Sequence, residues 1–366
     1  KYSMNIIYIA ETSLTNQSGY SQHVIKMCDA FGQKNFNLIL VVPNEKNNLT
    51  FKSIKKKFLL NSKKPFLIKS ILNSRIDNFF TRFKFAIKAS IFTKSQKPNL
   101  IVTRSLLSSF CLSILKTPHF LELHNEIKSF SKFLFLDLNY INSKYIKKVI
   151  LISNSLKKKF NINKNKILVL HDGVDIKNFK KFDKIKKIRT ATYVGSFYDG
   201  RGIEIITNLA KKFKMINFKL YGQKKNINNK FKNISFFNYI GYDKVPAILA
   251  KSDVLLMPYA NKVFVRAKNL NTANYCSPLK MFDYLAAGKI ILSSKLDGIC
   301  EVLKHKKNAI IVKKYTLEDW SKTFNDLLSH KYNLIKIQDG SVKTAKKYSW
   351  NQRVLKIIEA NKKWKY

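Results

Sequence analysis

Long apolar runs and paired cysteines are both missing from this sequence. No uninterrupted apolar run approaches the roughly 18 to 20 residues that cross a bilayer, and the chain does not open with the pattern of a signal peptide. The four cysteines and six histidines show neither a disulfide framework nor a metal-ligand spacing. We therefore expect a cytoplasmic protein, and any membrane contact should be peripheral.

Acidic residues are also scarce, because 22 Asp and Glu face 69 Lys and Arg, for a net charge of +47. Such a charge is typical of proteins that bind nucleic acid or anionic membranes. Only seven basic residues are arginine, however, and abundant Lys, Asn and Ile are what an AT-rich genome encodes, so part of the charge reflects mutational bias. A basic nucleic-acid-binding protein stays an alternative, but no DNA- or RNA-binding motif accompanies the charge, and we expect no nucleic acid partner.

What the chain does contain is a regular alternation of short apolar runs with helical patterns. With 366 residues it exceeds the usual size of one core, and the alternation is typical of βαβ units around parallel sheets. A polar, Lys-rich segment from Ile176 to Lys187 separates two series, so we predict an α/β fold with domains 1–172 and 173–345. The predicted strands are 5–10, 38–42, 100–103, 120–124, 149–153 and 167–170, then 190–195, 218–222, 234–239, 254–259, 289–293 and 309–312.

Glycine is distributed unevenly between these halves. Only Gly19 and Gly32 precede Gly173, whereas nine of the eleven glycines lie from Gly173 onward, mostly at strand ends. Ligands of open α/β sheets bind outside the carboxyl ends of the strands, where loops meet helix N-termini. The second half is therefore predicted to hold a nucleotide.

One glycine-rich segment, Gly195–Gly202, follows a predicted strand and opens an amphipathic helix that reaches about Phe213. Glycines let the backbone approach an anion, and Arg201 can donate to two phosphate oxygens at once. The segment is not a Walker A loop, because Arg-Gly stands where Lys-Ser or Lys-Thr is needed. An ordinary strand-to-helix turn with a solvated arginine is the alternative.

A second segment, Ser277–Gly288, predicts a short helix with Ser277 as N-cap, Pro278 as first helical residue and Gly288 as its stop. Lys280 and Asp283 are three residues apart and share one face of it. A cation beside free N–H groups suits a pyrophosphate, and a carboxylate can accept hydrogen bonds from a ribose diol. The alternative is a solvent-exposed Lys280–Asp283 pair on a plain helix.

Taken in order, these segments resemble glycosyltransferase family 4 (glycosyl transferases group 1), retaining enzymes of the GT-B fold. Ser277–Ser294 is similar to the family's donor-binding helix and following strand, and Tyr193–Gly202 to its diphosphate loop. Val169–Asp175, Asp253–Tyr259 and Gly298–Leu303 are similar to further family segments. The resemblance implies two Rossmann-like, doubly wound parallel-sheet domains facing a central cleft, with a C-terminal helix, 346–366, crossing back to the first domain.

Carried over to this sequence, the resemblance implies that Arg201 and Lys280 hold the donor diphosphate with the backbone of Pro278 and Leu279, and that Asp283 takes the ribose. In the first domain, Gly19 would lie beneath the phosphates or sugar, and His124 would face the sugar and acceptor. His124, Arg201 and Lys280 are thus the candidate catalytic residues. Arg104 and Glu126 are weaker acceptor-side candidates, and the donor-binding set is completed by Gly195, Ser196, Gly200, Gly202, Gly222, Tyr275 and Ser277.

Three positions depart from the family pattern. Many members carry a glutamate at the position of Tyr275, a second glutamate at Asp283, and a basic residue at Ser196. Because the first of these glutamates contacts the donor sugar in the family, its absence means that the identity of the sugar is not predicted. A GT-B-like protein that binds a sugar nucleotide without transferring it is therefore kept as an alternative.

The resemblance also implies a mechanism and a substrate class. A retaining hexosyltransferase of this kind stabilises the departing diphosphate with cations and helix N–H groups while the acceptor hydroxyl attacks from the same face. No Asp-x-Asp-type cation site is present, so we expect neither a metal nor another cofactor. The expected product is a cell-surface polysaccharide or a glycolipid.

The stretch from Phe51 to Ser95 combines twelve Lys or Arg residues with one acid, Asp77, and eight phenylalanines. Such a basic and aromatic stretch can seat on anionic headgroups. We therefore expect peripheral contact of residues 51–95 with the inner face of the cell membrane, and a glycan or lipid-linked acceptor. The alternative is that the phenylalanines form core and the lysines a solvated surface.

Overall fold

The structure is a computed structural model that describes residues 4–15, 18–44, 49–72, 76–222, 231–264 and 271–363. It divides into two compact units. The first contains the described residues up to Ile152, then Leu156–His171 and the C-terminal segment from Trp350 onward. The second contains Ser153–Ser155 and Asp172–Ser349. Asp172 thus belongs to the second unit, and the segment that returns to the first begins at Trp350.

The first unit is built on a seven-stranded sheet with the order β3-β2-β1-β4-β5-β6-β7, and every pairing is parallel. Apolar residues fill its strands because helices cover both faces of a parallel sheet. The strands are β1 Asn5–Ile9, β2 Asn37–Val42, β3 Leu67–Ser70, β4 Leu100–Thr103, β5 His119–Leu123, β6 Ile146–Leu151 and β7 Ile167–Val169.

The helices of the first unit connect these strands. They are α1 Gly19–Gly32, α2 Phe51–Lys55, α3 Phe79–Ser95, α4 Leu106–Ile114 and α5 Ser129–Lys132, which continues into a π-helical turn, Phe133–Asp137. The short α6, Asn154–Lys157, lies where the chain passes between the units, and the long C-terminal α13, Trp350–Lys362, packs with α1. The predicted return of the C-terminal helix to the first unit is confirmed.

The second unit repeats the plan with six parallel strands in the order β10-β9-β8-β11-β12-β13. The strands are β8 Thr190–Val194, β9 Asn217–Tyr221, β10 Ile234–Phe237, β11 Val254–Met257, β12 Ile290–Ser294 and β13 Ile310–Val312. The helices are α7 Ile203–Lys212, α8 Val245–Ala250, α9 Leu279–Ala286, α10 Asp297–Cys300, α11 Leu317–Leu328 and α12 Leu334–Lys347. Trp320 and Phe324 of α11 pack in the core of this unit.

Both sheets reverse their strand order at one point, between β1 and β4 in the first unit and between β8 and β11 in the second. The carboxyl ends of the strands beside such a reversal form the usual ligand-binding crevice of doubly wound sheets. Gly19 and Arg104 follow the two strands at the first reversal, and the Gly195–Gly202 loop follows β8 at the second. The predicted doubly wound α/β fold is confirmed, whereas the edge strand β3 was not predicted.

Candidate functional site

The Gly195–Gly202 loop has a conformation that requires glycine. Gly195, Gly200 and Gly202 have φ values of 146°, 79° and 72°, where a side chain is strained. A Cβ atom on Gly200 would overlap the carbonyl oxygen of Lys262. The loop is therefore folded tightly against the segment that follows β11, at the strand-order reversal of the second unit.

Arg201 and Lys280 converge on one aromatic ring in this unit. The Lys280 Nζ lies 3.8 Å from the ring centre of Tyr193 and 5.6 Å from that of Tyr259. The guanidinium carbon of Arg201 lies 4.8 Å from the same Tyr259 ring. Two cations from separate segments thus share one set of surroundings, and the aromatic faces attract both.

These cations have no counter-charge among the residues that the structure describes. Among the described residues, Lys280 Nζ and Arg201 Nε are buried without a hydrogen-bond acceptor, while Arg201 Nη2 donates to the Phe264 carbonyl oxygen at 3.4 Å. Burial and the neighbouring Arg201 hold the pKa of Lys280 well below its usual value. An anion placed between the two cations would relieve this unfavourable arrangement.

Helix α9 supplies Lys280 from its first turn, and its start differs from the prediction. Pro278 is the N-cap, with an extended ψ of 132°, and no side chain caps the helix. The predicted N-cap, Ser277, is therefore wrong by one residue, since Pro278 keeps an extended backbone instead of entering the helix. The Met281 N–H donates to the Pro278 carbonyl oxygen at 2.9 Å. The Leu279 and Lys280 N–H groups are therefore the ones that can meet an anion beside the Lys280 ammonium.

Asp283 lies one turn further along α9 and is buried, with 6% of its surface exposed. Its Oδ1 accepts a hydrogen bond of 2.9 Å from the Tyr242 hydroxyl, a residue that the sequence analysis missed. The alternative of a solvent-exposed Lys280–Asp283 pair is wrong, because the ammonium lies over Tyr193 instead. The ribose contact of Asp283 stays a prediction.

The other predicted donor residues lie around this loop and helix. Tyr193 donates from its hydroxyl to the Ser196 carbonyl oxygen at 2.8 Å, and a Cβ on Gly222 would overlap the Gly195 carbonyl oxygen. Tyr275 is 1% exposed. The Tyr284 hydroxyl accepts from the Val194 N–H at 2.9 Å, which ties α9 to the strand that leads into the loop.

In the first unit, Arg104 lies against the start of α1. Gly19 is the first residue of that helix, after the N-cap Ser18, and the guanidinium carbon of Arg104 lies 4.0 Å from the ring centre of Tyr20. Arg104 Nη1 is buried without a hydrogen-bond partner among the described residues. Glu126, the other acceptor-side candidate, forms a surface pair with Lys159 at 3.6 Å.

His124 belongs to a buried cluster whose centre, Glu122, was missed by the sequence analysis. Three nitrogen atoms contact Glu122 Oε1: His124 Nε2 at 2.7 Å, His23 Nε2 at 2.8 Å and Arg353 Nη2 at 2.6 Å. The Tyr8 hydroxyl donates to Oε2 at 2.8 Å. Burial opposes ionisation of this carboxyl, but His23 and Arg353 hold its pKa well below the usual range.

One group in this cluster has the composition of a metal site. The ligand atoms of His23, Glu122 and His124 all lie within 4.8 Å of one another. The Arg353 guanidinium, however, contacts the same carboxylate oxygen that both imidazoles contact, so a metal ion there would face a fixed positive charge. The donor set therefore does not fit a cation, and the absence of a metal stays a prediction.

Comparison with protein families gives a match for the second unit. Residues 189–330 match the family model described as glycosyl transferases group 1. The matched region contains the Gly195–Gly202 loop and helix α9 together. Comparison with curated protein sequences gives no match.

Several solved structures share the fold over nearly the whole chain. A glycosyltransferase from Rickettsia africae superposes with a TM-score of 0.76 at 15% identity, covering 99% of both chains. Anabaena Alr3699/HepE, solved with UDP and glucose, gives 0.70 at 13% identity and covers 97% of this chain and 99% of its own. The lipopolysaccharide outer core galactosyltransferase WaaB gives 0.69 at 14%, covering 98% and 99%. The chain has the GT-B fold.

Proposed function

We propose that this protein is a retaining family 4 glycosyltransferase that uses a nucleotide-sugar donor. The observation that carries the proposal is the pair of buried cations, Arg201 and Lys280, which share the Tyr259 ring and have no acidic partner among the described residues. A donor diphosphate supplies the two negative charges that this arrangement needs. The family match over residues 189–330 and the UDP bound to the Anabaena protein support this reading.

In the proposed complex, the diphosphate lies between Arg201, Lys280 and the first N–H groups of α9. Asp283 takes the ribose, and Tyr242 orients its carboxylate through the 2.9 Å hydrogen bond. As the sugar–phosphate bond breaks, charge builds up on the leaving diphosphate, and the cations then bind it more strongly than they bind the intact donor. A leaving phosphate oxygen accepts the proton of the attacking acceptor hydroxyl, so transfer needs no metal ion.

The first unit provides the acceptor side in this proposal. His124 follows the carboxyl end of β5, and Arg104 follows that of β4, the positions at which such sheets bind ligands. His124 faces the transferred sugar, and Arg104 contacts the acceptor. The identity of the transferred hexose is not specified by this proposal, because Tyr275 occupies the position at which many family members carry a sugar-contacting glutamate.

A thermal-shift panel tests the donor site. The protein is heated with UDP-, GDP- and other sugar nucleotides, and we expect one of them to raise the Tm. The shift should disappear in Arg201→Ala and Lys280→Ala, whereas the exposed Arg189→Ala and Lys251→Ala serve as matched charge controls and keep it. A shift that survives in both site variants would place the nucleotide elsewhere and remove the proposal.

A binding protein without transfer activity is the second candidate, and Tyr275 favours it. A tyrosine has no carboxylate, so this position cannot supply the acidic contact to the donor sugar that many family members have, and the Tyr275 side chain is buried. Radiolabelled donor, incubated with membrane extracts that contain candidate acceptors, separates the two. A sugar nucleotide that stabilises the protein but is neither transferred nor hydrolysed would favour the binding protein.

We further propose that the acceptor is lipid-linked and that the protein works at the cytoplasmic face of an anionic membrane. Five phenylalanines form one aromatic surface on the first unit: Phe79, Phe80 and Phe83 of α3, with Phe130 and Phe133. Phe80 is 80% exposed and Phe130 60%, and the exposed lysines 84, 128 and 132 lie in the same segments. Exposed rings among cations suit a headgroup region.

This surface differs from the predicted stretch in two ways. Phe58, Phe66 and Phe85 are core residues, so the alternative assignment holds for them. Residues 128–133, in contrast, were not predicted to take part, and residues 73–75 lie outside the described chain. No helix in the described part of the chain is long and apolar enough to span a bilayer.

Liposome flotation tests this surface at moderate salt. We expect the protein to float with vesicles that contain anionic lipid, and the double variant Phe80→Ser/Phe130→Ser to stay in the soluble fraction. Met215→Ser, which removes an 89% exposed apolar side chain from the second unit, is the matched control and should float. If the unmodified protein does not float, the membrane proposal is wrong, while the donor-site proposal is unaffected.

A further inference from the structure

We propose that Glu122 is a positioning residue that fixes the ring orientation and the protonated nitrogen of His124. The inference rests on the proposed function only in that His124 is taken to meet the sugar or acceptor. The role of Glu122 in orienting His124 is inferred from the contacts within the buried cluster. Glu122 itself contacts no substrate in this proposal.

The two residues are placed by strand geometry. Glu122 lies in β5 and His124 follows its last residue, and side chains two positions apart along a strand lie on the same side. The distance from His124 Nε2 to Glu122 Oε1 is 2.7 Å. An ionised carboxylate only accepts hydrogen bonds, so Nε2 must carry the proton. In the neutral ring, Nδ1 is then the acceptor nitrogen.

The carboxylate is itself held from several directions. The Tyr8 hydroxyl of β1 donates to one oxygen, while His23 of α1 and Arg353 of α13 contact the other. Arg353 also donates through Nη1 to the carbonyl oxygens of Leu170 and His171. Tyr8, His23, Glu122 and Arg353 are all at most 3% exposed. Glu122 therefore has no room to turn, and the imidazole that it binds keeps one orientation.

His119, the first residue of β5, provides an internal reference. His119 Nδ1 lies 2.9 Å from the Thr117 carbonyl oxygen, which can only accept, so this ring carries its proton on Nδ1. Its Nε2 then accepts from the Ser109 hydroxyl at 2.7 Å. Burial lowers the pKa of His119 to about 4, so this ring is neutral near pH 7. His119 in β5 and His124 just after it should thus have opposite tautomers.

Nuclear magnetic resonance of the full chain, labelled with ¹⁵N-histidine, tests the assignment without any activity. We expect the neutral ring of His124 to show the Nε2–H pattern and His119 the Nδ1–H pattern, with signals assigned from His124→Gln and His119→Gln. An Nδ1–H pattern at His124 would overturn the proposal.

A double variant removes the carboxylate without leaving a buried charge unpaired. In Glu122→Leu/Arg353→Met both partners become apolar residues of similar size, which is tolerated better than the loss of one. We expect the His124 signal to change to a mixture of tautomers and that of His119 to stay unchanged. An unchanged His124 signal in this variant contradicts the proposed role of Glu122.

Turnover of the nucleotide sugar that stabilises the protein provides the second measurement. Glu122→Gln keeps the shape of the side chain but removes its charge, and we expect kcat to fall about 10-fold or more with little change in the donor KM. Tyr8→Phe, which leaves the carboxylate in place, should have a smaller effect. An unchanged kcat and pH profile in Glu122→Gln would contradict the positioning role. If no donor is turned over while His124 shows the expected tautomer, the proposed function fails and the positioning geometry stands.

Discussion

Each unit buries cationic side chains, and the surroundings of these cations differ in one respect. In the first unit, Arg353 lies against the carboxylate of Glu122 at 2.6 Å. In the second, Arg201 and Lys280 lie against aromatic rings, and the described residues offer them no carboxylate. A buried charge that has its partner is accounted for within the fold, whereas a buried charge without one is a candidate for ligand binding.

The contrast is informative because acids are rare in this chain, with 22 against 69 basic residues. Most surface lysines therefore have no acidic neighbour, and an exposed lysine without a partner is no evidence of a binding site. The positions of Arg201 and Lys280 differ because they are buried, where a missing counter-charge has a real energetic cost. Charge and burial together, and not charge alone, single out these two residues as the candidate site.

Removal of the counter-charge in the first unit should have the largest effect on stability. Glu122→Ala leaves the Arg353 guanidinium buried and uncompensated, and we expect the free energy of unfolding to fall by about 3–5 kcal/mol. Urea denaturation monitors the loss. Glu126→Ala, which breaks a solvent-exposed pair, is the control and should cost no more than about 1 kcal/mol. Equal losses in the two variants would contradict the comparison.

A change in the Gly195–Gly202 loop should have an intermediate effect. Gly195 has a φ of 146°, and a Cβ there would overlap the Lys280 ammonium. Gly195→Ala is expected to cost about 1–3 kcal/mol of backbone strain and to weaken nucleoside diphosphate binding, as titration calorimetry can measure. In the control Gly241→Ala, φ is −61° and the new methyl meets only the flexible side chain of Asp243. Unchanged diphosphate affinity in Gly195→Ala would show that Lys280 does not hold the phosphates.

An effect of opposite sign is expected for Lys280→Met without ligand. Burial and Arg201 lower the pKa of Lys280 in the folded protein below its ordinary value of 10.5, so the unfolded chain binds the proton more tightly. Stability from this group therefore rises as the pH rises between the two pKa values, by at most about 1.4 kcal/mol per pH unit.

Lys280→Met removes that pH dependence. The variant should be at least as stable as the parent near pH 7, and the difference in their free energies of unfolding should shrink as the pH approaches 10. Thermal unfolding of both proteins across this range gives the comparison, since the other titrating groups cancel. A variant that is less stable than the parent at pH 7, with a constant difference at higher pH, would mean that the ammonium already has a partner.

The sequence predicted the fold well because most of its strands are continuous apolar runs. Of the thirteen strands in the described residues, twelve were placed from such runs, and β4 was placed at its true ends, Leu100–Thr103. The exception, β3, is an edge strand whose sequence Leu-Ile-Lys-Ser is mostly exposed, so it has no continuous apolar run. An apolar run predicts a buried strand and misses an exposed one.

The site was predicted less completely, for a different physical reason. Gly195, Arg201 and Lys280 belong to two local motifs, and each motif can be read from a short segment. The Glu122 cluster draws on Tyr8, His23 and Arg353, which are scattered along the chain and meet only when it folds. One signal was available, because an acid inside the otherwise apolar run of β5 needs a buried partner in a parallel sheet. The sequence does not say which residue that partner is.

Because α13 belongs to the first unit but follows the second in the chain, the first unit can be completed only after the second has been synthesised. Arg353 and Trp350, which contact Glu122 and His23, are synthesised after the whole of the second unit. Until α13 has been synthesised, Glu122 lacks its arginine partner and His23 its contact with Trp350. The cluster around His124 is therefore complete only after α13 has packed against the first unit.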